Sequence, residues 1–398
     1  PRPDCFASAC GGWSRNDKEE ATLCQDIGLG FPFRFCYTVE TMKTKSYRIT
    51  VIPGDGIGPE VSQATLRVLE STGVDFQWEV AYAGLSALER FGTVLPPETM
   101  ASLRRNKVGL KAPTSTPQGT PSSNQMLRQG LDLYACLRPC KIYPGAPTRY
   151  EMVDIVVVRE NTEDIYCGVQ FERGSPQAAE ILRLAGGRLR EDSGFGIKAI
   201  SQTASRRIAR FAFEYAVRKG RKKVTAVHRA NALPYSDGIF LAAAQEVARE
   251  FPAIEFEDAI VDSFCMRLVR WPEEYDVLVL PNLYGDVVSD LCAGLVGGLG
   301  VAPGANLGQE IALFEAAHGS APKYAGLNKA NPMALMLSGA MMLRHLGEED
   351  AAQRLEKAIV AVIAEGRYVT YDLKPRRDDP TAVGTSQVAD AVIEKMRG

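Results

Sequence analysis

From Tyr47 onward, the sequence alternates short apolar stretches with longer amphipathic ones. The strand patterns lie at residues 49–52, 154–158, 223–227 and 276–280. The helical patterns lie at residues 59–71, 205–219, 238–250, 331–346 and 351–365. Alternating β and α units are typical of a largely parallel sheet covered by helices. The sequence therefore predicts an α/β fold.

The turn after the first strand carries three glycines at alternate positions, Gly54, Gly56 and Gly58. This spacing differs from the Gly-x-Gly-x-x-Gly of the Rossmann dinucleotide site, and no acidic residue follows a second strand at the expected distance. We interpret the segment as a strand-to-helix turn, and the fold as one other than a Rossmann fold.

Residues 1–41 differ from the rest of the chain. They hold four of the nine cysteines and have poor hydrophobic periodicity. Their acidic residues are atypical of a transit peptide, and they lack the apolar core of a secretory signal. We predict a disordered extension that ends near Met42.

Composition narrows the range of partners. The 398 residues suffice for two domains, and a net charge of -2 favours neither nucleic acid nor an anionic membrane. No apolar run approaches the roughly 20 residues of a membrane-spanning helix. The cysteines lack metal-ligand spacing, and Cys136 and Cys140 are interpreted as packing residues. Free thiols fit a reducing compartment, so a cytoplasmic location is predicted.

Two aspartates, Asp286 and Asp290, lie four residues apart before a glycine-rich run. On a helix this spacing places both carboxylates on one face, one turn apart. Mg²⁺ and Mn²⁺ prefer such oxygen ligands. Taken alone, the pair is more often a solvated helix face than a metal site.

Three arginines, Arg128, Arg138 and Arg159, lie at predicted strand ends and helix starts. The planar guanidinium suits bidentate carboxylate binding, so their convergence would indicate a di- or tricarboxylate ligand. Singly, each is more often a surface or capping residue. Ser122 and Asn124 precede a helical pattern, where they could cap the helix or bind a carboxylate at its N-terminus.

Five motifs in order resemble those of the β-decarboxylating dehydrogenases, which act on isocitrate, 3-isopropylmalate, homoisocitrate and tartrate. The resemblance covers about residues 46–398. The matching runs are Ile52-Pro-Gly-Asp-Gly-Ile-Gly-Pro-Glu60, Leu131-Asp-Leu-Tyr-Ala-Cys-Leu-Arg-Pro139, Arg159-Glu-Asn-Thr-Glu-Asp-Ile-Tyr166, Asn282-Leu-Tyr-Gly-Asp-Val-Val-Ser-Asp290 and His318-Gly-Ser-Ala-Pro-Lys-Tyr-Ala-Gly326.

Within this family the chain is most similar to isocitrate dehydrogenase, which implies metal-dependent oxidative decarboxylation of isocitrate to 2-oxoglutarate. Isopropylmalate enzymes carry apolar residues where this chain has Ser122 and Asn124. Homoisocitrate and 3-isopropylmalate stay open as alternative substrates. The residues implied to bind the substrate carboxylates are Ser122, Asn124, Arg128, Arg138 and Arg159.

The resemblance also implies a catalytic apparatus. Tyr166 corresponds to the general acid that reprotonates the enol after CO₂ is lost, although by its sequence context alone it could equally be a packed aromatic. The implied ligands of Mg²⁺ or Mn²⁺ are Asp286, Asp290 and, from the neighbouring subunit, Asp262. The metal would act as a Lewis acid toward the substrate oxygens.

The implied cofactor segment runs from His318 to Asn331. In the family that this chain resembles, NAD-using members carry an aspartate at the position of Lys323. Because a cation complements a 2′-phosphate, NADP is predicted over NAD. The residues implied to contact the cofactor are Thr116, Asn231, Glu315, His318, Gly319, Ser320, Ala321, Lys323, Tyr324, Asn331 and Tyr371.

One position departs from the family. Arg229 replaces a lysine that reaches into the partner subunit's site and joins the proton transfer from the substrate hydroxyl. Arginine keeps its proton at working pH. Three interpretations stay open: an enzyme that works through water and Asp262, a slow enzyme, or a regulatory subunit that binds substrate without turnover.

The resemblance finally implies a homodimer with shared active sites and two α/β domains around a cleft. Residues 42–133 and 297–398 would form the large cofactor-binding domain. Residues 134–296 would form the small dimerisation and substrate domain, in which residues 164–201 make an intersubunit clasp. Arg229 and Asp262 would each enter the partner's site.

Overall fold

Residues 46–398 are built around one sheet of ten strands. The computed structural model describes residues 20–24, 36–40 and 45–398. The strands are β1 (Glu20–Cys24), β2 (Cys36–Glu40), β3 (Ser46–Ile52), β4 (Asp75–Val80), β5 (Val108–Lys111), β6 (Ala135–Lys141), β7 (Asp154–Glu160), β8 (Gln170–Phe171), β9 (Phe195–Gly196), β10 (Lys223–His228), β11 (Glu255–Ile260), β12 (Val277–Leu280), β13 (Pro303–Leu307) and β14 (Ala312–Ala316).

Twelve α-helices occur in the described residues. They are α1 (Gly58–Glu70), α2 (Leu85–Phe91), α3 (Pro97–Asn106), α4 (Ser123–Gly130), α5 (Pro176–Ala185), α6 (Gln202–Lys219), α7 (Asp237–Ala248), α8 (Val261–Arg270), α9 (Asn282–Leu295), α10 (Met333–Leu346), α11 (Glu349–Glu365) and α12 (Thr385–Arg397). All four predicted strands and all five predicted helices are confirmed, with bounds that shift by a few residues.

The order of strands in the main sheet is β11-β10-β12-β7-β6-β13-β14-β5-β3-β4. Six neighbouring pairs are parallel, and three, all involving β6 or β13, are antiparallel. The predicted α/β fold with a largely parallel sheet is confirmed. Its strand order also differs from that of a Rossmann fold, as predicted.

Helices cover both faces of the sheet, because successive strand residues point to opposite sides. In β7, Val156 and Val158 pack with α6 and α7, whereas Ile155 and Val157 pack with α8 and α9. At the other half of the sheet, α10 is the most buried helix and packs with α1 and α11, and α12 packs against those two helices. Burial on both faces explains why the strands read as continuous apolar runs.

The glycine turn between β3 and α1 is a close contact point. Gly54 and Gly56 have φ values of 75° and 60°. A Cβ atom at Gly54 would lie 2.2 Å from the carbonyl oxygen of Pro113, and one at Gly56 would lie 2.1 Å from that of Ser320. Only glycine fits these two positions, and the predicted strand-to-helix turn is confirmed.

The ten-stranded sheet runs through both predicted domains and passes between them at the β6–β13 pair. Residues 164–201, the predicted clasp, contain the antiparallel pair β8–β9 with α5 between its strands. The division into two domains and the clasp role both stay predictions.

Outside this sheet, β1 and β2 pair antiparallel with each other. The predicted disordered extension lies mostly outside the described residues and stays a prediction. Within the described part of the chain, no helix combines the length and the apolarity that crossing a membrane requires. Cys136 and Cys140 are free and buried, as expected of packing residues.

Candidate active site

Charged side chains collect where parallel strands of the main sheet end. Lys111 is the last residue of β5, Arg159 lies next to the end of β7, and Glu315 lies next to the end of β14. They border a cavity of about 350 Å³ at this edge, the usual place for ligands in open α/β sheets. Its lining residues are Lys111, Pro113, Thr114, Ser122, Asn124, Gln125, Arg128, Arg138, Arg159, Tyr166, Asp286, Glu315, Ala316, Ala317, His318 and Gly319.

Arg159 is held rigidly at the cavity wall. Its Nε and Nη2 atoms donate to Oδ1 of Asn282 at 2.9 and 2.6 Å, and Nη1 pairs with Asp286. The side chain is 2% exposed. Burial, and then the neighbouring Arg128 and Arg138, lowers the pKa of Arg159 to about 10. Its guanidinium is therefore charged at neutral pH but incompletely neutralised, which favours an anionic ligand.

Asp286 and Asp290 lie on one face of α9, as their spacing predicts. Both face Arg138, whose Nη1 lies 3.8 Å from Oδ1 of Asp286 and 3.4 Å from Oδ1 of Asp290. Burial raises the pKa of Asp286, but Arg159 and Arg138 outweigh it, so this pKa lies below its ordinary value. The ionised oxygens of Asp286 are suited to a hard divalent cation.

Lys111 and Glu315 form a buried ion pair on adjacent parallel strands. They are register partners in β5 and β14, and Nζ of Lys111 lies 2.6 Å from Oε2 of Glu315. Arg128 and Asn306 approach Oε1 of Glu315 at 3.2 and 2.7 Å. Burial opposes ionisation, but Lys111 and Arg128 hold the pKa of Glu315 well below its ordinary range.

Tyr166 reaches the cavity from the turn after β7. Its hydroxyl donates to Oδ2 of Asp286 at 3.0 Å, and its backbone carbonyl accepts from Nε2 of Gln125 at 2.8 Å. Burial, and then the Asp286 carboxylate, raises the pKa of Tyr166. The phenol therefore keeps its proton at neutral pH and is able to act as an acid.

Ser122 and Asn124 flank the start of α4 and line the cavity. Ser122 occupies the N-cap position, yet its side chain makes no capping hydrogen bond. Oδ1 of Asn124 accepts from Thr114 at 3.2 Å. Ser122 is thus not used as a cap, and its hydroxyl is available to a ligand in the cavity.

Arg229 and Asp262 do not line the cavity of their own chain. Instead they pair with each other, with Nη1 of Arg229 2.5 Å from Oδ2 of Asp262, and the hydrogen bond from Arg229 lowers the pKa of Asp262. Asn231, beside them, is exposed. Among residues 20–24, 36–40 and 45–398, no three His, Cys, Asp or Glu side chains are placed to hold a metal ion. A three-aspartate site would need Asp262 from a second chain.

The predicted cofactor loop packs against the glycine turn. The Ile57 amide donates to the Ser320 carbonyl at 2.9 Å, and the hydroxyls of Ser115 and Ser320 lie 2.8 Å apart. Nε2 of His318 is buried and has no hydrogen-bond partner among the described residues, and burial lowers the pKa of His318. The other ring nitrogen, Nδ1, lies 3.1 Å from the Gly319 carbonyl. A neutral imidazole with an unused Nε2 beside a glycine-lined turn fits a bound dinucleotide.

Aromatic and cationic side chains cluster further along this surface. The rings of Tyr324 and Tyr371 lie 5.9 Å apart, and Nζ of Lys323 lies 4.9 Å from the ring centroid of Tyr324. Lys329 sits over the ring of Tyr371 at 4.8 Å. Lys323, Tyr324 and Tyr371, three of the predicted cofactor residues, thus lie together, and Lys329 joins them; their contact with a cofactor stays a prediction. Asn331 is buried and its amide donates to Asp372 at 3.0 Å.

Of the remaining predicted cofactor residues, Gly319 and Glu315 line the cavity, and Ala321 follows Ser320 with a positive φ of 37°. Thr116 is exposed on the loop before α4. The sequence did not point to Lys111, Gln125 or Asn282. A lysine at the end of an otherwise apolar strand was the only available signal for Lys111.

Comparison with known proteins matches this chain to one family of dehydrogenases. A model described as isocitrate/isopropylmalate dehydrogenase matches residues 48–392. The chain is 47% identical to Arabidopsis thaliana mitochondrial "Isocitrate dehydrogenase [NAD] catalytic subunit 5", over 81% of this chain and 83% of that protein. It is 46% identical to a mitochondrial NAD isocitrate dehydrogenase regulatory subunit from Dictyostelium discoideum, over 83% of this chain and 88% of that protein.

Two further relatives bear on substrate and fold. The chloroplastic 3-isopropylmalate dehydrogenase of Solanum tuberosum is 45% identical, over 87% of this chain and 94% of that one. A crystal structure of isocitrate dehydrogenase from Methylococcus capsulatus superposes with a TM-score of 0.82 at 46% identity, covering 88% of this chain and all of that one.

These comparisons overturn two predictions. The prediction of NADP dependence is wrong, because the isocitrate dehydrogenase relatives are NAD enzymes. It rested on the charge of Lys323, but that ammonium packs over the Tyr324 ring, where a cation is stabilised without any 2′-phosphate. The predicted cytoplasmic location is also wrong, since these relatives are mitochondrial. Free thiols indicate a reducing environment but do not distinguish compartments.

Proposed function

Because this chain belongs to the isocitrate/isopropylmalate dehydrogenase family, we propose that it catalyses the NAD-dependent oxidative decarboxylation of isocitrate to 2-oxoglutarate. A divalent cation, Mg²⁺ or Mn²⁺, would assist the reaction. The relatives that are isocitrate dehydrogenases support a mitochondrial location for it.

The charge of the cavity is the observation that carries this proposal. Four cationic side chains, those of Lys111, Arg128, Arg138 and Arg159, line the cavity with two carboxylates, and Asp290 pairs with Arg138 just beside it, so positive charge stays in excess. Burial strengthens their interaction with an anion. A small ligand with several carboxylates would neutralise this excess, and the volume of about 350 Å³ suits one of isocitrate's size.

The polar end of the cavity favours isocitrate over 3-isopropylmalate. Ser122 and Asn124 line it, and the Ser122 hydroxyl is not used in capping. A carboxylate would accept hydrogen bonds there, near the positive end of the α4 dipole. An isopropyl group would leave these polar groups unpaired, at a cost of about 1–3 kcal/mol each.

Each group of cavity residues would have its own role in the reaction. Arg128, Arg138 and Arg159 would bind the substrate carboxylates and orient them. Asp286 and Asp290 would hold the cation, which would supply Lewis-acid stabilisation of the substrate oxygens, and a bound NAD would supply the hydride acceptor. The proton of the substrate hydroxyl would leave through water and Asp262 of the second copy. After CO₂ leaves, Tyr166 would donate its proton to the enol carbon.

The location of Arg229 and Asp262 outside the cavity supports a dimer with shared sites. Both residues lie together on the surface of the chain, from which they could complete a second copy's site. We propose a homodimer of this kind. A heteromeric assembly is the alternative that the subunit names of the relatives raise.

Steady-state kinetics of the purified chain test the proposal. With Mn²⁺ and NAD, we expect kcat/KM for isocitrate to exceed that for 3-isopropylmalate by about 100-fold or more, because the polar groups of the cavity pair only with the carboxylate. The same assay with NADP in place of NAD should give a lower value. A preference for 3-isopropylmalate would assign the chain to that branch of the family.

A regulatory role is the second candidate function. Arg229 cannot relay a proton, and one of the most similar relatives is a regulatory subunit. Against this candidate, the carboxylate-binding arginines, Tyr166 and Asp286 line one cavity, and Asp290 lies beside it, 3.4 Å from Arg138. Tight isocitrate binding by calorimetry, with no reduced NAD formed, would establish the regulatory role instead.

The substitution at position 229 provides a separate prediction. We expect Arg229→Lys to raise kcat by about tenfold or more, because lysine can release a proton at working pH and arginine cannot. The rate should also acquire an additional ionisation in its pH profile. Arg218→Lys, on the exposed end of α6, serves as the control and should leave kcat unchanged. An unaltered rate in Arg229→Lys would mean that the arginine acts only through its charge.

A further inference from the structure

Lys198 lies between two fully buried carboxylates that the proposed mechanism leaves unexplained. Its Nζ is 2.9 Å from Oδ1 of Asp237 and 3.5 Å from Oδ1 of Asp164, and both aspartates are 0% exposed. The ring of Tyr284, on α9, lies 4.4 Å from the same Nζ. Three separate segments of the chain thus meet at one ammonium group.

Asp164 organises the segment that carries Tyr166. It opens the 3-10 turn Asp164–Cys167 with a φ of 69°, which is unusual for a residue with a side chain. Its Oδ2 accepts from the amide of Leu283 at 2.9 Å, in the first turn of α9. Asp164 therefore connects the Tyr166 turn to the helix that carries Asp286.

Asp237 organises the segment that carries Arg229. It is the first residue of α7, and its Oδ2 accepts from the amide of Arg229 at 2.7 Å. Its other oxygen faces Lys198. The backbone at Arg229 is therefore held by a carboxylate whose charge is balanced by Lys198.

We propose that Lys198 is a positioning residue that fixes the Tyr166 turn and the Arg229 turn relative to each other. This inference rests on the proposed function and deepens it. In the proposed homodimer Tyr166 serves the chain's own site and Arg229 serves the partner's. Lys198 would then connect the two active sites through one buried ion-pair cluster.

The charge of Lys198 is what this role requires. Two buried carboxylates repel each other, and removing the cation between them leaves both uncompensated. The turns would relax to separate the charges, and Tyr166 would move away from the substrate carbon. A misplacement of about 1 Å is enough to lower a rate by about 100-fold. The carboxylate-binding arginines hydrogen-bond to other partners, Asn282, Ser289 and Glu315, and would stay in place.

Lys198→Met tests the inference, because it removes the charge but keeps most of the length. We expect kcat to fall by about 10- to 100-fold, while the isocitrate dissociation constant measured by calorimetry changes by less than about threefold. Lys198→Gln, which keeps a donor toward one aspartate, is the second variant if Lys198→Met does not fold. Thermal unfolding of each variant is recorded beside the kinetics.

Lys223→Met is a matched control. Lys223 has the same side-chain exposure of 18% as Lys198, pairs with Glu257 at 3.3 Å, and lies over the Tyr275 ring at 5.6 Å. It is the first residue of β10, at the opposite edge of the sheet from the cavity, and its variant should retain the kcat of the unsubstituted chain. This control measures the effect of removing a mostly buried lysine that has no link to the Tyr166 turn.

Three outcomes would contradict the positioning role of Lys198. If a Lys198 variant unfolds at a lower temperature but keeps its kcat within about twofold, the role of Lys198 is merely structural and the inference is overturned. Equal losses of kcat and of isocitrate binding would also overturn it, since the arginines would then have moved too. If the unsubstituted chain binds isocitrate but forms no reduced NAD, the proposed function fails and the inference fails with it.

Discussion

Tyr166→Phe is expected to lower kcat for isocitrate by about 10²- to 10⁴-fold, the usual contribution of a general acid. The substitution keeps the ring, which lies 5.5 Å from the guanidinium carbon of Arg159, and removes only the hydroxyl. Because the three arginines are untouched, KM and the isocitrate dissociation constant should change little. Steady-state kinetics and calorimetry on the same preparation measure the two quantities.

A second hydroxyl provides the control for this variant. Tyr150 donates to the carbonyl of Val269 at 2.9 Å and does not line the cavity. Tyr150→Phe should therefore keep the kcat of the unsubstituted chain. If Tyr166→Phe retained more than about a tenth of the original kcat, another group would have to supply the proton, and the assignment of Tyr166 would be wrong.

Glu315→Gln is expected to lower the free energy of unfolding by about 3–5 kcal/mol, the usual effect of removing one partner of a buried ion pair. Lys111 is 1% exposed, and in this variant its buried ammonium would lose its anionic partner and keep neutral acceptors such as the Ala112 carbonyl at 3.2 Å. Denaturant unfolding at neutral pH measures the difference. Glu310→Gln, which breaks an exposed pair with Lys107, is the control and should change stability little.

The double variant Lys111→Met/Glu315→Gln distinguishes loss of charge balance from loss of packing. With the buried ammonium also removed, it should regain part of the lost stability, since apolar replacements of buried pairs are often neutral. A double variant less stable than Glu315→Gln would indicate that the pair contributes net attraction beyond mutual neutralisation.

The contribution of Glu315 to the free energy of unfolding should also depend on pH. Lys111 and Arg128 hold its pKa in the folded chain below that of the unfolded chain. A lowered folded pKa contributes stability that is fully present above the unfolded value, about 4.3, and is lost as pH falls below it. The gap in unfolding free energy between the unsubstituted chain and Glu315→Gln should therefore narrow as the solution is acidified below about pH 4.

Much of the fold was predictable because its signals are local. Apolar runs such as residues 154–158 and the amphipathic helices between them follow from side-chain periodicity within a few residues. The antiparallel pairing of β6 with β13 was not predictable, because it joins segments far apart in the chain. Periodicity identifies a strand but not its neighbour.

The cofactor shows where reasoning from one residue fails. Lys323 carries the charge that a 2′-phosphate would need, and on that ground NADP was predicted. In the folded chain, Lys323 lies over the ring of Tyr324, and Lys329 lies over the rings of Tyr324 and Tyr371. Aromatic faces attract cations in any case, so a lysine at this position does not by itself determine which dinucleotide binds.

The order of amino acids alone identifies the family and most of the cavity residues, because each motif carries its own spacing on one helix or turn. Asp286 and Asp290 are the clearest example, since four residues along a helix place both on one face. Only the tertiary structure shows that Lys111 faces Glu315, that Lys198 joins Asp164 to Asp237, and that Arg229 and Asp262 lie outside their own cavity. These contacts depend on the sheet's strand order and register, which bring distant segments together and which no local pattern encodes.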